Sequence, residues 1–275
     1  MLVPALASLM AGSLCGLLGY YVSELRLTTI SFSVAHAALA GAAAGMALGV
    51  DAAASSMATA SAYALSMGLL LPRAGRYGDV VSMAFFSLFN ALALFMIYLS
   101  QSVVLATVQV GGVLWGSVLA VTPTRASLLF AALSSFVAYA ALARGPLDSM
   151  LFDARLAEAE GVDVHLHTTI ILLFVGTAAA LALTITGGFL TFSLLYNPVV
   201  ASAQLSPRAD VRRALAPALG AASACLGLAA SYHLDLPVGA TIALTSVAVL
   251  LASAALRLAL NRLARGAARR EAARA

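Results

Sequence analysis

Fifteen arginines punctuate this chain without a single lysine, and the apolar stretches between them are each about 20 residues long, the length an α-helix needs to cross a bilayer. Charged residues occupy 9% of the 275 positions and hydrophobic residues 62%, whereas a soluble domain carries about 25% charge. So few charges cannot cover a water-facing surface, so lipid is the solvent for most of the chain. Lipid forces every backbone amide to be satisfied within a helix or a closed barrel. Barrel strands read as alternating segments of about 10 residues, which this sequence lacks. The fold class is therefore all-α, a polytopic transmembrane helical bundle.

Nine spans are expected, near 2–22, 30–50, 52–72, 80–100, 126–143, 168–186, 188–204, 214–232 and 238–260. Arg26 follows the first, Arg73 and Arg76 the third, Arg144 and Arg155 the fifth, and Arg208, Arg212 and Arg213 the seventh. Arg257, Arg262, Arg265, Arg269, Arg270 and Arg274 follow the last. All fourteen share one side if the N-terminus is outside; only Arg125 falls on the other. The positive-inside rule then gives N-out, C-in. Gly187-Gly188 must turn the chain between two short spans, where a re-entrant pair is the alternative, and 103–119 reads as a short buried or re-entrant helix. Residues 1–261 are thus expected to form one transmembrane domain with a cytoplasmic segment at 148–164, and 262–275 an arginine-rich cytoplasmic tail. Nothing basic precedes the first span, so it does not read as a cleaved signal peptide. Cys15 and Cys225 lie mid-span without C-x-x-C spacing and read as packing residues. The formal charge of +4 arises from the topology anchors and implies no nucleic-acid partner.

The absent lysine excludes chemistry. A P-loop needs one on the β/γ-phosphates, and Schiff-base catalysis needs one as nucleophile. Neither H-E-x-x-H nor G-x-S-x-G occurs. The chain therefore reads as a transporter, a channel or the membrane subunit of something larger, with no ATPase site of its own and no permanently bound cofactor.

Between the fifth and sixth spans lies an island of six charges: Asp148, Asp153, Arg155, Glu158, Glu160 and Asp163. The run 153–161 reads as a short helix with Asp153 as its N-cap and Gly161 as its end. Leu151, Phe152, Leu156 and Ala159 fall roughly on one side. Such a segment is either a solvated loop helix or one that docks its apolar side into a partner's groove.

The pattern D-x-x-x-A-x-x-x-G at Asp153, Ala157 and Gly161 resembles the cytoplasmic coupling segment of the zinc/manganese/iron family of ABC-transporter permeases. Ser33–Gly41 resembles that family's "SHA-x-L-x-G" stretch, and Gly116–Thr122 its "G-x-LLAVT" stretch. Gly188-Phe189-Leu190 with Ser193-Leu194-Leu195 and Pro198 resembles "G-x-LL…LLI-x-PAA", and Leu236-Pro237 with Gly239 resembles "x-P-x-G". The resemblance covers nearly the whole chain in the same order. It implies the membrane-spanning subunit of a metal-ion importer in the cell membrane. A second copy of the chain, cytoplasmic ABC ATPase subunits that bind the ATP, and an extracytoplasmic metal-binding protein would complete it. Asp153, Leu156, Ala157 and Gly161 would then couple it to the ATPase.

His36 is the one histidine deep in a span, and an intramembrane ionisable residue marks a pathway by default. It reads either as a cargo ligand or as a histidine bonded to a helix carbonyl. Gly41, Gly45 and Gly49 form a ridge that lets another helix approach; His36 shares the opposite face with Ala40, Ala43 and Ala47, which would look onto the pathway. The family commonly carries an aspartate one turn before this histidine, where this chain has Phe32. The divalent cargo (zinc, manganese or iron) thereby loses a ligand, and a metal chelate becomes the alternative cargo. Asn197 beside Pro198 offers a carbonyl oxygen to the pathway or relieves the helix kink. Outside, Asp51, His233 and Asp235 are placed to guide a cation in or to hold the binding protein. His165 and His167 read as interfacial. A secondary carrier acting alone is a further alternative, but no acid lies mid-span to couple an ion.

Overall fold

The computed structural model describes residues 2–102, 121–186 and 191–272. Among them are α1 (Leu2–Glu24), α2 (Thr28–Leu48), α3 (Ala52–Ala74), a 3₁₀ turn (Gly75–Tyr77) and α4 (Gly78–Ser102). There follow α5 (Pro123–Leu142), two short helices α6 (Arg144–Phe152) and α7 (Ala154–Ala159), and α8 (Val164–Thr186). The described chain ends with α9 (Thr191–Leu205), α10 (Ala209–Leu234) and α11 (Val238–Ala272). The expected features at 103–119 and at Gly187-Gly188 lie outside the described residues.

Contacts between helices fix which ends are neighbours. Gly12 and Gly220 meet backbone to backbone, and Gly16 meets Ala216, so α1 and α10 run antiparallel. Gly68 meets Thr169 and Gly176 meets Ala60, which sets α3 antiparallel to α8. Ser33 Oγ donates to the Ser82 carbonyl, and Ala43 and Met46 pack with Ile97, so α2 and α4 run parallel. At one end Arg212 pairs with Glu24 at 2.7 Å, and Asp148 pairs with both Arg213 and Arg144. Arg257 reaches Gln204 at that same end. The arginine-bearing junctions therefore gather at one end of the bundle, and Arg125, in the first turn of α5, lies at the other. The positive-inside rule makes the arginine end cytoplasmic.

Eight described helices are long and apolar enough to cross a membrane. Of the ninth expected span, 188–204, the described part is α9, whose 15 residues give roughly 22 Å at 1.5 Å per residue. Phe192 stacks on His36, while Tyr196 one turn later bonds the Thr28 carbonyl, so α9 descends from the depth of His36 to the cytoplasmic end. α11 is helical from Val238 to Ala272 and so includes most of the expected arginine-rich tail.

α2 is the axis of the molecule. Of its apolar window 83% is buried, against 17% for α4 and for α5, which leaves those two facing lipid or a partner. Small residues make this enclosure possible: a Cβ on Gly41 would stand 1.9 Å from Thr59 Oγ1, and one on Gly45 2.8 Å from Ser55 Oγ. These two members of the expected ridge seat α3. Gly49 does not extend it; it is the C-cap, with φ +71 and nothing near it. On the opposite face the neighbour is another helix. Ala40 and Ala43 are buried against Ala93 and Ile97 of α4, because parallel α4 lies along that face.

Candidate site: a histidine in an aromatic cage

His36 sits about 12 Å along α2 from Thr28 at 1.5 Å per residue, near mid-membrane. It is 5% exposed. Its Nδ1 lies 3.0 Å from the Phe32 carbonyl oxygen one turn back. A carbonyl only accepts, so Nδ1 carries the proton and, in the neutral ring, Nε2 keeps its lone pair. The ring lies parallel to Phe192 (5.0 Å, 14°) and meets the ring of Phe86 edge-on at 4.4 Å.

Phe32, where the resembled family has an acid, occupies the same face. It stacks on Phe192 at 4.4 Å and on Tyr196 at 5.1 Å, and presents an edge to Phe86. Phe32 and His36 are four residues apart on α2, and Phe192 and Tyr196 are four apart on antiparallel α9, so the two pairs interleave. Below the stack Tyr196 Oη bonds Ser31 Oγ and the Thr28 carbonyl, which pins α9 to the first turn of α2. The cage offers one nitrogen lone pair and several ring faces, which attract cations through their quadrupoles. No cluster of three or more His, Cys, Asp or Glu side chains occurs among the described residues.

Asn197 faces away from this cage: its Nδ2 donates to Ser246 Oγ of α11 at 2.9 Å. Asp51, His233 and Asp235 are exposed at the end opposite the arginines. Asp51 caps α3 by accepting from the Ala54 amide at 2.8 Å. His233 lies edge-on to Tyr232 in the last turn of α10, and Asp235 is its left-handed C-cap with φ +51. His167 bonds Tyr139 Oη across α5 and α8 at 2.7 Å, tying two helices together. Sequence reasoning did not single out Phe86, Phe192 and Tyr196. The matched i, i+4 aromatic spacing on two separate helices was the available signal.

At the cytoplasmic end each position of D-x-x-x-A-x-x-x-G has a physical reason. Asp153 accepts from the Arg155 and Leu156 amides at 2.8 and 3.1 Å, capping α7. Ala157 is 1% exposed because its small side chain packs against the bundle. Gly161 takes φ +91, which side-chain-bearing residues rarely adopt, so the chain can turn up into α8. The apolar side divides: Leu151 packs on the core, whereas Phe152 is 84% exposed and Leu156 49%.

This architecture defines a multi-pass helical membrane protein of the cell membrane with a single enclosed histidine at mid-depth. The chain belongs to the ABC 3 transport family, which matches residues 1–257. Members of that family are transport membrane subunits and are not themselves the ATPase. The chain is 24% identical over 244 residues to the manganese transport system membrane protein MntC of Listeria monocytogenes, covering 89% of this chain and 86% of that one. It is 25% identical over 245 residues to the MntC protein of Halalkalibacterium halodurans, covering 87% and 81%. Among solved structures it resembles PsaBC from Streptococcus pneumoniae in complex with Fab, with a TM-score of 0.78 at 20% identity, covering 91% of this chain and 89% of that one. It also resembles an inward-facing putative metal-chelate type ABC transporter, with a TM-score of 0.76 at 15% identity, covering 92% and 84%. These two likenesses establish the fold.

Proposed function

We propose that this chain is the membrane-spanning subunit of an ATP-driven importer of divalent metal ions, with manganese(II) as the first cargo to test. The observation that carries this reading is the family match across residues 1–257, together with relatives named as manganese transport proteins along most of the chain. In this reading two copies form the pathway, ATPase subunits dock on Phe152 and Leu156, and a binding protein delivers cargo near Asp51, His233 and Asp235. His36 Nε2 is the one cage donor aimed at cargo. Asn197, held by Ser246, would contribute only after α9 moves. Closure of the ATPases would rock packed helices and open the cage to one side at a time.

The cage itself favours a second reading. Manganese prefers carboxylate, carbonyl or water oxygens, and zinc four ligands. The cage supplies one imidazole nitrogen among aromatic rings, so a cargo that brings its own ligands, such as a metal chelate, fits the lining. Proteoliposomes holding the chain with its ATPase and binding protein separate the readings. Uptake of radiolabelled manganese(II) that requires ATP supports the first. ATP-dependent uptake of chelated metal with none of the free ion supports the second. Uptake without any ATPase would overturn both and favour a carrier acting alone.

A further inference from the structure

The docking segment is not joined to the bundle by covalent connection alone. Asp148 on α6, four residues before Phe152, pairs with Arg213 in the first turns of α10. Arg144 pairs with the same carboxylate from the side at 3.5 Å. Arg213 also lies over the rings of Tyr20 and Tyr21 on α1, 5.8 and 5.9 Å from their centroids. Beside it Arg212 grips Glu24 of α1 through two bonds, at 2.7 and 3.2 Å. Two adjacent arginines thus hold three elements: the docking segment, the last turn of α1 and the first turn of α10.

Surface ion pairs contribute little and are screened by salt. This one is different in setting. The Arg213 side chain is 20% exposed against 41% for Asp148, so the pair is enclosed on the arginine side, and Arg212 and Glu24 are 22% and 23% exposed. The planar guanidinium bonds a carboxylate while lying over ring faces, a fit that a lysine ammonium does not reproduce. Tyr20 and Tyr21 are fully buried and fill the core between helices, so a pull on Arg213 is a pull on α1.

α1 in turn leads to the cage. At Gly19 an added Cβ would stand 1.8 Å from the Leu195 carbonyl oxygen, so α1 touches the α9 backbone directly. The next residue of α9 is Tyr196, which stacks on Phe32, and Phe192 stacks on His36. Contact is continuous from the docking segment through Arg213, α1 and α9 to the mid-membrane histidine.

We propose that the Asp148–Arg213 pair is the strut through which movement of the docking segment reaches α1 and, through it, the cage. Asp148 and Arg213 are positioning residues in this scheme and touch no cargo. The proposal rests on the importer reading above, and its test keeps the two apart.

The test is a double-mutant cycle in the complete transporter in liposomes, reading manganese(II) taken up per ATP hydrolysed. Asp148→Asn and Arg213→Gln should each lower that ratio at least about fivefold, the lower end of typical coupling between sites. The ATPase should still co-purify and hydrolyse ATP. The double variant should be no worse than either single one, and Arg213→Lys, which keeps the charge but not the fork, should fall between. An unchanged ratio in both single variants overturns the proposal. So does a double variant whose loss is the product of the single losses, or a loss that only tracks missing ATPase subunits. If the wild-type complex hydrolyses ATP but takes up no manganese, the cargo reading falls instead. The strut is then judged by the ATP-driven change in distance between spin labels at Glu158→Cys and Leu48→Cys. Asp148→Asn should abolish that change, and its persistence overturns the strut.

Discussion

Phe32 decides more about this molecule than any charged residue within the spans. An aspartate there would stand one helical turn from His36 on the same face and close a two-ligand site with it. The phenyl ring instead joins a stack with Phe192 and Tyr196 and offers no ligand. Phe32→Asp should therefore act in two directions. Without metal it buries an unpaired carboxylate among rings, and purified protein should melt at a lower temperature than wild type. With manganese(II) at about 100 times its dissociation constant, binding should return about 2.7 kcal/mol, seen as a metal-dependent rise in Tm larger than that of wild type. No metal-dependent rise would mean that the pathway does not run past this face. His36→Ala keeps the aromatic rings and removes the Nε2 lone pair. ATP-dependent uptake should fall about 10- to 100-fold, the range for disturbed metal ligation, and normal uptake would dismiss His36 as a cargo contact.

At the scale of elements, lipid gives helices no hydrophobic reason to associate, so close packing must hold them. The α1–α10 pair shows how. A Cβ on Gly12 would lie 2.3 Å from the Gly220 carbonyl oxygen, so Gly12→Ala must push two backbones apart. The expected cost is about 1–3 kcal/mol, read as lowered thermal stability in detergent. Gly145→Ala on α6 meets nothing within 4 Å and should stay within about 0.5 kcal/mol of wild type. The docking segment obeys a different rule, because in the proposed assembly its exposed apolar residues, Phe152 and Leu156, meet the ATPase. Phe152→Ser with Leu156→Ser should leave the permease folded and abolish ATPase co-purification. Retention of the ATPase would make this segment a solvated loop helix.

At the scale of the whole molecule, what the sequence disclosed and what it hid divide along physical lines. Span positions and the sorting of their ends were legible because bilayer thickness and arginine cost act on each stretch independently of its neighbours. The caps at Asp153 and Gly161 were legible for the same local reason. The cage was not, since Phe86 and Phe192 acquire meaning only when α4 and α9 are laid against α2. The cover that α4 gives Ala40 and Ala43 was not legible either, because periodicity names a face but not what covers it.

Sidedness is the remaining property of the whole. The ion pairs among Glu24, Asp148, Arg144, Arg212 and Arg213 prove that these ends are neighbours, whichever compartment they face. The cytoplasmic assignment comes from arginine bias alone. In a variant with Cys15 and Cys225 replaced by alanine, Asp235→Cys and Leu48→Cys should react with a membrane-impermeant maleimide in intact cells. Glu158→Cys should react only after the membrane is opened. Labelling of Glu158→Cys in intact cells would turn the bundle over and detach the docking segment from any ATP-using partner. The ion-paired junction would survive that reversal unchanged, because its geometry depends on which ends meet and not on which side they meet.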